Sequence, residues 1–138
     1  MRAVLDPNVI ISALLSPTGA PAGVLRAWLE GEFELLASPL LLAELERALT
    51  YPKPRERIPQ SEATELLEWL GREATVVPDP GRAPSVRSAD PGDNYLLALA
   101  EDARAALVSG DRHLLTLGDQ LPIFSPRRLL DALGRDSN

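Results

Sequence analysis

Four acidic residues, widely spaced in the chain, occupy positions where chemistry is readily built: Asp6, Glu44, Asp93 and Asp111. Asp6 ends the run Ala3-Val4-Leu5, and Asp111 comes shortly after Ala106-Leu107-Val108-Ser109. A short apolar run that releases an acid reads as a strand delivering a carboxylate at its C-terminal end. In open α/β sheets, ligands bind along that edge. Carboxylates gathered there repel: two unit charges about 4 Å apart cost on the order of 4 kcal/mol at an effective dielectric near 20. A divalent cation turns that repulsion into binding, and it can then polarise a phosphoryl oxygen and activate water. The chain has no cysteine and one histidine, which removes disulfides, thiolate catalysis and most zinc sites. Oxygen ligands alone point to Mg²⁺ or Mn²⁺.

Each residue also has a plainer reading. Asp6 suits a turn or the N-cap of the next helix. Glu44 lies between Leu40 and Ala48, at the margin of an apolar stripe, where a solvated acid is ordinary. Asp90-Pro91-Gly92-Asp93 matches a capping box, with Asp90 as cap and an acid at the third helical position. Asp90 is assigned to capping and Asp93 to metal. Asp111 after Gly110 can simply begin a helical turn. Asn8 and Ser109 are placed to hydrogen-bond Asp6, although a helix-start asparagine and a plain strand serine need no such role. His113 reads as a helix-start surface residue. Arg112, Arg55, Arg57 and Arg87 are surface charges that can touch phosphates, and Trp28 and Trp69 recur at core spacing.

The elements that must position these residues alternate. Strands are predicted around Val4, over Phe33 to Ala37, at Thr75-Val76-Val77, over Ala106 to Ser109 and at Pro122-Ile123-Phe124. Helices are predicted from Asn8 to Leu15, Pro21 to Gly31, Pro39 to about Thr50, Ser61 onward, Asp90 to Ala103, briefly from His113 to Leu117, and Pro126 to Leu133. Lys53 to Pro59 reads as an exposed loop or single turn, and Pro78 to Ala89 as loop. Such alternation implies an α/β fold: a mostly parallel five-stranded sheet with helices on both faces. The βα units bring the four acids to one rim of that sheet.

The 138 residues suit one domain over 1–134, followed by a frayed tail at 135–138. A net charge of −6 argues against a strongly basic nucleic-acid binder, though not against an enzyme that meets phosphates through cations. No run is long enough to span a membrane and no signal peptide is evident, so the cytoplasm is the expected location.

Together, Val4-Leu5-Asp6-Pro7-Asn8-Val9, Leu42-Ala43-Glu44-Leu45, Asp90-Pro91-Gly92-Asp93-Asn94 and Ser109-Gly110-Asp111-Arg112 resemble the PIN-domain family. The closest group resembles the toxins of bacterial and archaeal toxin–antitoxin systems, relatives of VapC. The resemblance implies a metal-dependent endoribonuclease. Asp6, Glu44, Asp93 and Asp111 would be its catalytic metal ligands, with Asn8 in support and Ser109 where the family often has threonine; Arg112, beside Asp111, is the cation placed to contact a phosphate. It also implies an RNA substrate, a cognate antitoxin and a homodimer. Pro7 stands where the family usually has threonine, and it brings neither hydroxyl nor backbone donor. Two other readings are an inactive interaction module, suggested by Pro7, and a phosphatase or phospho-acceptor using Asp6 as nucleophile. The latter commonly wants a second acid two residues on and a phosphate-binding lysine. This chain offers Asn8 and a lone Lys53.

Overall fold

In a computed structural model, which describes residues 1–134, the five strands run parallel in the order β3-β2-β1-β4-β5. β1 is Arg2–Leu5, β2 Glu34–Ala37, β3 Thr75–Val76, β4 Ala106–Val108 and β5 Ile123–Phe124. The mostly parallel sheet anticipated from the pattern is parallel at every pairing. Ala3, Val4 and Leu5 are each 0% exposed. Successive strand residues face opposite sides, so both faces of the sheet are covered. Each fully buried leucine, such as Leu36 or Leu107, contributes roughly 1.5–3 kcal/mol. The central strands are therefore a firmly held platform.

Between β1 and β2 lie α1 (Pro7–Leu15) and α2 (Ala20–Leu29). Gly31 follows α2 at φ +79°, the left-handed conformation in which glycine ends a helix without a Cβ penalty. After β2 come α3 (Pro39–Ala48), α4 (Pro52–Arg57) and α5 (Gln60–Glu73). Ser38 caps α3 as its type predicts, with its Oγ accepting from the Leu41 N–H. The stretch expected as loop or single turn forms α4 because Pro52 and Pro54 fall within its first turn, where a missing N–H costs nothing. Trp28 and Trp69 pack ring to ring, with centroids 5.2 Å apart, as core spacing implied.

The chain then crosses back. A 3₁₀ turn over Pro91–Asp93 leads into α6 (Asn94–Ala103), which packs on β1 and β4 and buries Leu96 to Ala100. The continuous helix expected from Asp90 begins instead as this tighter turn, because its first residues have no preceding carbonyls to bond. α7 (Arg112–Leu115) and α8 (Pro126–Ala132) complete the order. The sequence of strands reverses between β1 and β4, so the topological switch point lies between their carboxyl ends. Among the described residues, no single helix is long and apolar enough to cross a membrane. The tail expected at 135–138 lies outside the described residues.

Candidate functional site

The switch point is where Asp6 and Ser109 emerge. Leu5 pairs with Val108, and the Asp6 N–H donates to the Val108 carbonyl at 2.9 Å, so the residues after both strands start side by side. Asp6 is only 4% exposed. Its Oδ1 accepts the Asn8 N–H at 3.0 Å, and its Oδ2 accepts the Ser109 hydroxyl at 2.8 Å. Burial pushes the carboxyl above its usual range. These two hydrogen bonds draw it back, and the charge of Asp111 adds to the rise.

The supporting contacts differ from expectation in one respect. Asn8 holds Asp6 through its backbone N–H, and its side chain is exposed. Pro7 occupies the first position of α1, where its absent N–H is not needed, and Asp6 draws both of its partners from elsewhere. Ser109 is fully buried and joins two acids. Its Oγ donates to Asp6 and accepts the Asp111 N–H at 3.0 Å. Asp111 then caps α7, its Oδ1 accepting the His113 N–H at 2.7 Å. His113 itself is exposed, as is Arg112.

Asp93 closes the 3₁₀ turn. In a capping box its carboxylate would accept the Asp90 N–H. That N–H goes instead to Ser88 Oγ at 3.1 Å, while Asp90 Oδ1 caps Gly92 N–H at 3.0 Å. Asp90 is thus a capping residue, and Asp93 is released from that duty. Asp93 Oδ2 is buried and has no hydrogen-bond partner. Its carboxyl is pushed up to about 6, first by burial and then by the negative charges of Asp111, Asp90 and Asp6. Asn94 Oδ1 accepts the Ser88 N–H at 2.8 Å and steadies the loop that carries this turn.

Glu44, in the second turn of α3, is partly buried, whereas Glu46 and Arg47 are exposed. Its Oε2 receives two donors from Arg47, Nη2 at 2.5 Å and Nε at 3.2 Å. Arg47 also reaches Tyr51 Oη at 2.8 Å through Nη1. A cleft of about 190 Å³ is lined by Asp6, Glu44 and Asp93 together with Arg47, Tyr51 and Tyr95. The Tyr95 phenol is pushed upward by burial, and then by the charges of Asp6, Glu44 and Asp93.

Asp6, Glu44 and Asp93 therefore face one cleft, and Asp111 is close enough to act on both Asp6 and Asp93. They do not form a finished ligand nest: among the described residues, no three Asp, Glu or His side chains are grouped to hold one ion. The immediate reason is visible in their partners. Glu44 is folded onto Arg47, and Asp111 onto the start of α7. The donor set nonetheless suits a hard divalent cation. It consists of carboxylate oxygens, and one of them is buried with nothing to bond.

Sequence reasoning passed over Arg47, Tyr51 and Tyr95 as site residues. The signal for the first two was their spacing, since Arg47 follows Glu44 by three residues on α3 and Tyr51, just beyond that helix, follows Arg47 by four.

A model of the PIN domain matches residues 2–113, and the chain belongs to the PIN-domain family. PIN domains are generally nucleases and typically use divalent metals. Over 120 residues the chain is 28% identical to the uncharacterized protein MJ1680 of Methanocaldococcus jannaschii, covering 87% of this chain and 77% of that protein. The crystal structure of PAE2754 from Pyrobaculum aerophilum matches with a TM-score of 0.64 at 22% identity, over 97% of this chain and 90% of that one. That likeness extends the agreement in fold to nearly the whole chain.

Proposed function

We propose that the chain is a metal-dependent endoribonuclease that hydrolyses RNA phosphodiester bonds, with Asp6, Glu44, Asp93 and Asp111 holding Mg²⁺ or Mn²⁺. The observation that carries this reading is the partnerless, buried Oδ2 of Asp93 beside Asp6 and Asp111, at the switch point of a PIN domain. A carboxylate kept in that state costs stability, and a cation relieves the cost. When bound, such an ion supplies Lewis-acid polarisation of the phosphoryl oxygens and an activated water.

The chain's own residues bind and orient. Asp6 is fixed by the Asn8 N–H and the Ser109 hydroxyl, which leaves further lone pairs on both oxygens for a ligand. Ser109 sets Asp6 and the Asp111 backbone in one frame. Asp93 offers its unbonded oxygen. Glu44 can turn inward once Arg47 finds another anion. Arg112, exposed next to Asp111, is assigned a phosphate contact on the substrate strand.

The motif resemblance further supports a toxin of a type II toxin–antitoxin pair, acting in the cytoplasm as a homodimer and blocked by its antitoxin at this rim. The inactive-module reading leaned on Pro7, and Asp6 keeps both hydrogen bonds despite it. For a phosphatase, the cleft lining holds no lysine.

The test is cleavage of single-stranded RNA with Mg²⁺, Mn²⁺ or chelator, with an Asp6→Asn protein purified in parallel. Mn²⁺ should also raise the melting temperature of the wild-type chain, because a ligand specific to the native state stabilises it. Cleavage that persists in chelator and in Asp6→Asn would defeat the proposal, as would millimolar Mn²⁺ that neither supports cleavage nor shifts the melt.

A further inference from the structure

The cleft poses an electrostatic problem. Asp6, Glu44, Asp90 and Asp93 line it, the chain carries a net charge of −6, and an RNA strand brings a negative charge with every phosphate. Among the residues lining the cleft, Arg47 is the single cation. Its side chain is 63% exposed, so its pairing with Glu44 is readily exchanged for another anion. Its guanidinium lies 5.8 Å from the centroid of the Tyr51 ring, which is itself 47% exposed at the rim. An exposed arginine held over an exposed aromatic ring provides both surfaces that unpaired nucleotides use: a fork for phosphate and planes for stacking bases.

The surface continues past Tyr51. Pro52 opens α4 at the next residue, and α4 carries Lys53, Arg55 and Arg57 against a single acid, Glu56. α4 packs on α1, the helix that Asp6 caps, and it follows directly in the chain from Tyr51, which lines the cleft. Arg55 Nε is buried and has no acceptor. Four of the chain's 14 cations thus fall within residues 47–57. This local basic stretch runs against the overall acidic charge.

We propose that Arg47, Tyr51 and the cations of α4 form the wall along which a single-stranded RNA lies as it enters the acidic cleft. Arg47 exchanges Glu44 for a backbone phosphate, and Tyr51 stacks an adjacent base. The inference rests on the nuclease reading of the same cleft and assigns the residues that hold its substrate. A single strand is favoured over a duplex as the ligand, because only unstacked bases offer a face to Tyr51.

Binding is read by fluorescence anisotropy of a short labelled single-stranded oligoribonucleotide in Mg²⁺, on the full chain carrying Asp6→Asn to suppress cleavage. Adding Arg47→Met should weaken binding and reduce the slope of log affinity against log salt by about 0.7, one phosphate contact on a single strand. Tyr51→Leu should weaken binding about 5- to 100-fold with the slope unchanged, and Tyr51→Phe should bind within about twofold of the parent. The exposed pair Lys53→Gln and Arg57→Gln should lower the slope again, and it carries the test if a change at Tyr51 disturbs folding. With Asp6 restored, Arg47→Met should raise KM more than it lowers kcat.

If the wild-type chain cleaves RNA while all these variants bind like their parent, the wall is wrong and the nuclease reading stands. If the variants bind weakly as expected but the wild type never cleaves, the wall stands and the nuclease reading fails. No binding by the parent at any salt would overturn the wall, and wild-type cleavage alone then decides the nuclease reading.

Discussion

Replacing Asp93 by asparagine should stabilise the metal-free protein while abolishing its activity. The native fold holds this carboxyl at about 6, against an ordinary 3.8, chiefly through burial and the charges of Asp111, Asp90 and Asp6. A carboxyl whose folded pKa is raised binds its proton more tightly in the native state than in the unfolded one. Its contribution is harmless below the unfolded value. It becomes a cost as pH rises from about 4 to about 6, and stays at full size above that. A rise from 3.8 to about 6 sets a ceiling of about 3 kcal/mol. Asp93 is only partly buried, so solvent screening reduces that to about 1–2 kcal/mol. Asparagine keeps the shape, removes the charge and offers N–H donors to the acids around it. In chelator at pH 7.5, Asp93→Asn should melt several degrees above wild type, roughly 4 °C per kcal/mol for a chain of this size. The gap should close as the pH falls towards 4. In Mn²⁺ the order should reverse, because only the wild type gains a native-state ligand. The assay is a set of thermal melts across pH, with and without metal. An Asp93→Asn protein no more stable than wild type in chelator at pH 7.5, or a gap independent of pH, would refute the electrostatic account of this residue.

Ser109→Ala removes both hydrogen bonds that tie Asp6 to the Asp111 backbone at a fully buried position, and should cost about 2–3 kcal/mol in a urea melt. Its RNA cleavage should fall roughly 10- to 100-fold, and unchanged cleavage would show that Asp6 does not need this support. Pro7→Thr should alter the cleavage rate less than about threefold, since neither partner of Asp6 comes from residue 7. It should also lose about 0.4–1 kcal/mol of stability as the unfolded chain gains freedom; a large gain in cleavage would show that the threonine hydroxyl matters. Asp90→Ala should cost about 1 kcal/mol through its lost cap on Gly92 and leave the Mn²⁺-induced melting shift in place, as titration of that shift would reveal. Arg104→Gly should stabilise by about 1 kcal/mol in the same melt, because Arg104 ends α6 at φ 54°, where a Cβ is strained.

Much of the sheet was legible because parallel strands buried on both faces leave an unmistakable trace. Ala3-Val4-Leu5 and Ala106-Leu107-Val108 are short apolar runs with no polar alternation, and they form the two central neighbours β1 and β4. α6 reads as apolar all round because it lies on both of those strands. Lys53 to Pro59 was misjudged because proline is a helix breaker only beyond the first turn, and Pro52 and Pro54 both fall inside it. The start at Asp90 was mistaken for a continuous helix because a 3₁₀ turn and an α-helix share their opening residues.

The acids were harder to read than the strands, for a reason particular to each. Strand ends fix Asp6 and Asp111 through backbone register, so sequence position nearly determines where those side chains start. Whether a carboxylate is free for a ligand depends on what competes for it, and the competitors come from elsewhere in the chain. Asp90-Pro91-Gly92-Asp93 matches a capping box that could occupy both acids, and only Asp90 is assigned to capping, with Asp93 left for metal. Ser88, two residues upstream of the motif, takes the Asp90 N–H, and Asp93 Oδ2 is left without a hydrogen-bond partner. Glu44 looked like a free acid at a helix margin, yet Arg47, one turn on, holds it. The same competition links the two halves of the site. Arg47 neutralises Glu44 when no other cation is near, and a phosphate that draws Arg47 away leaves Glu44 to turn towards Asp6 and Asp93. Substrate strand and metal ion would then favour each other's binding, and each should tighten the other by the same factor.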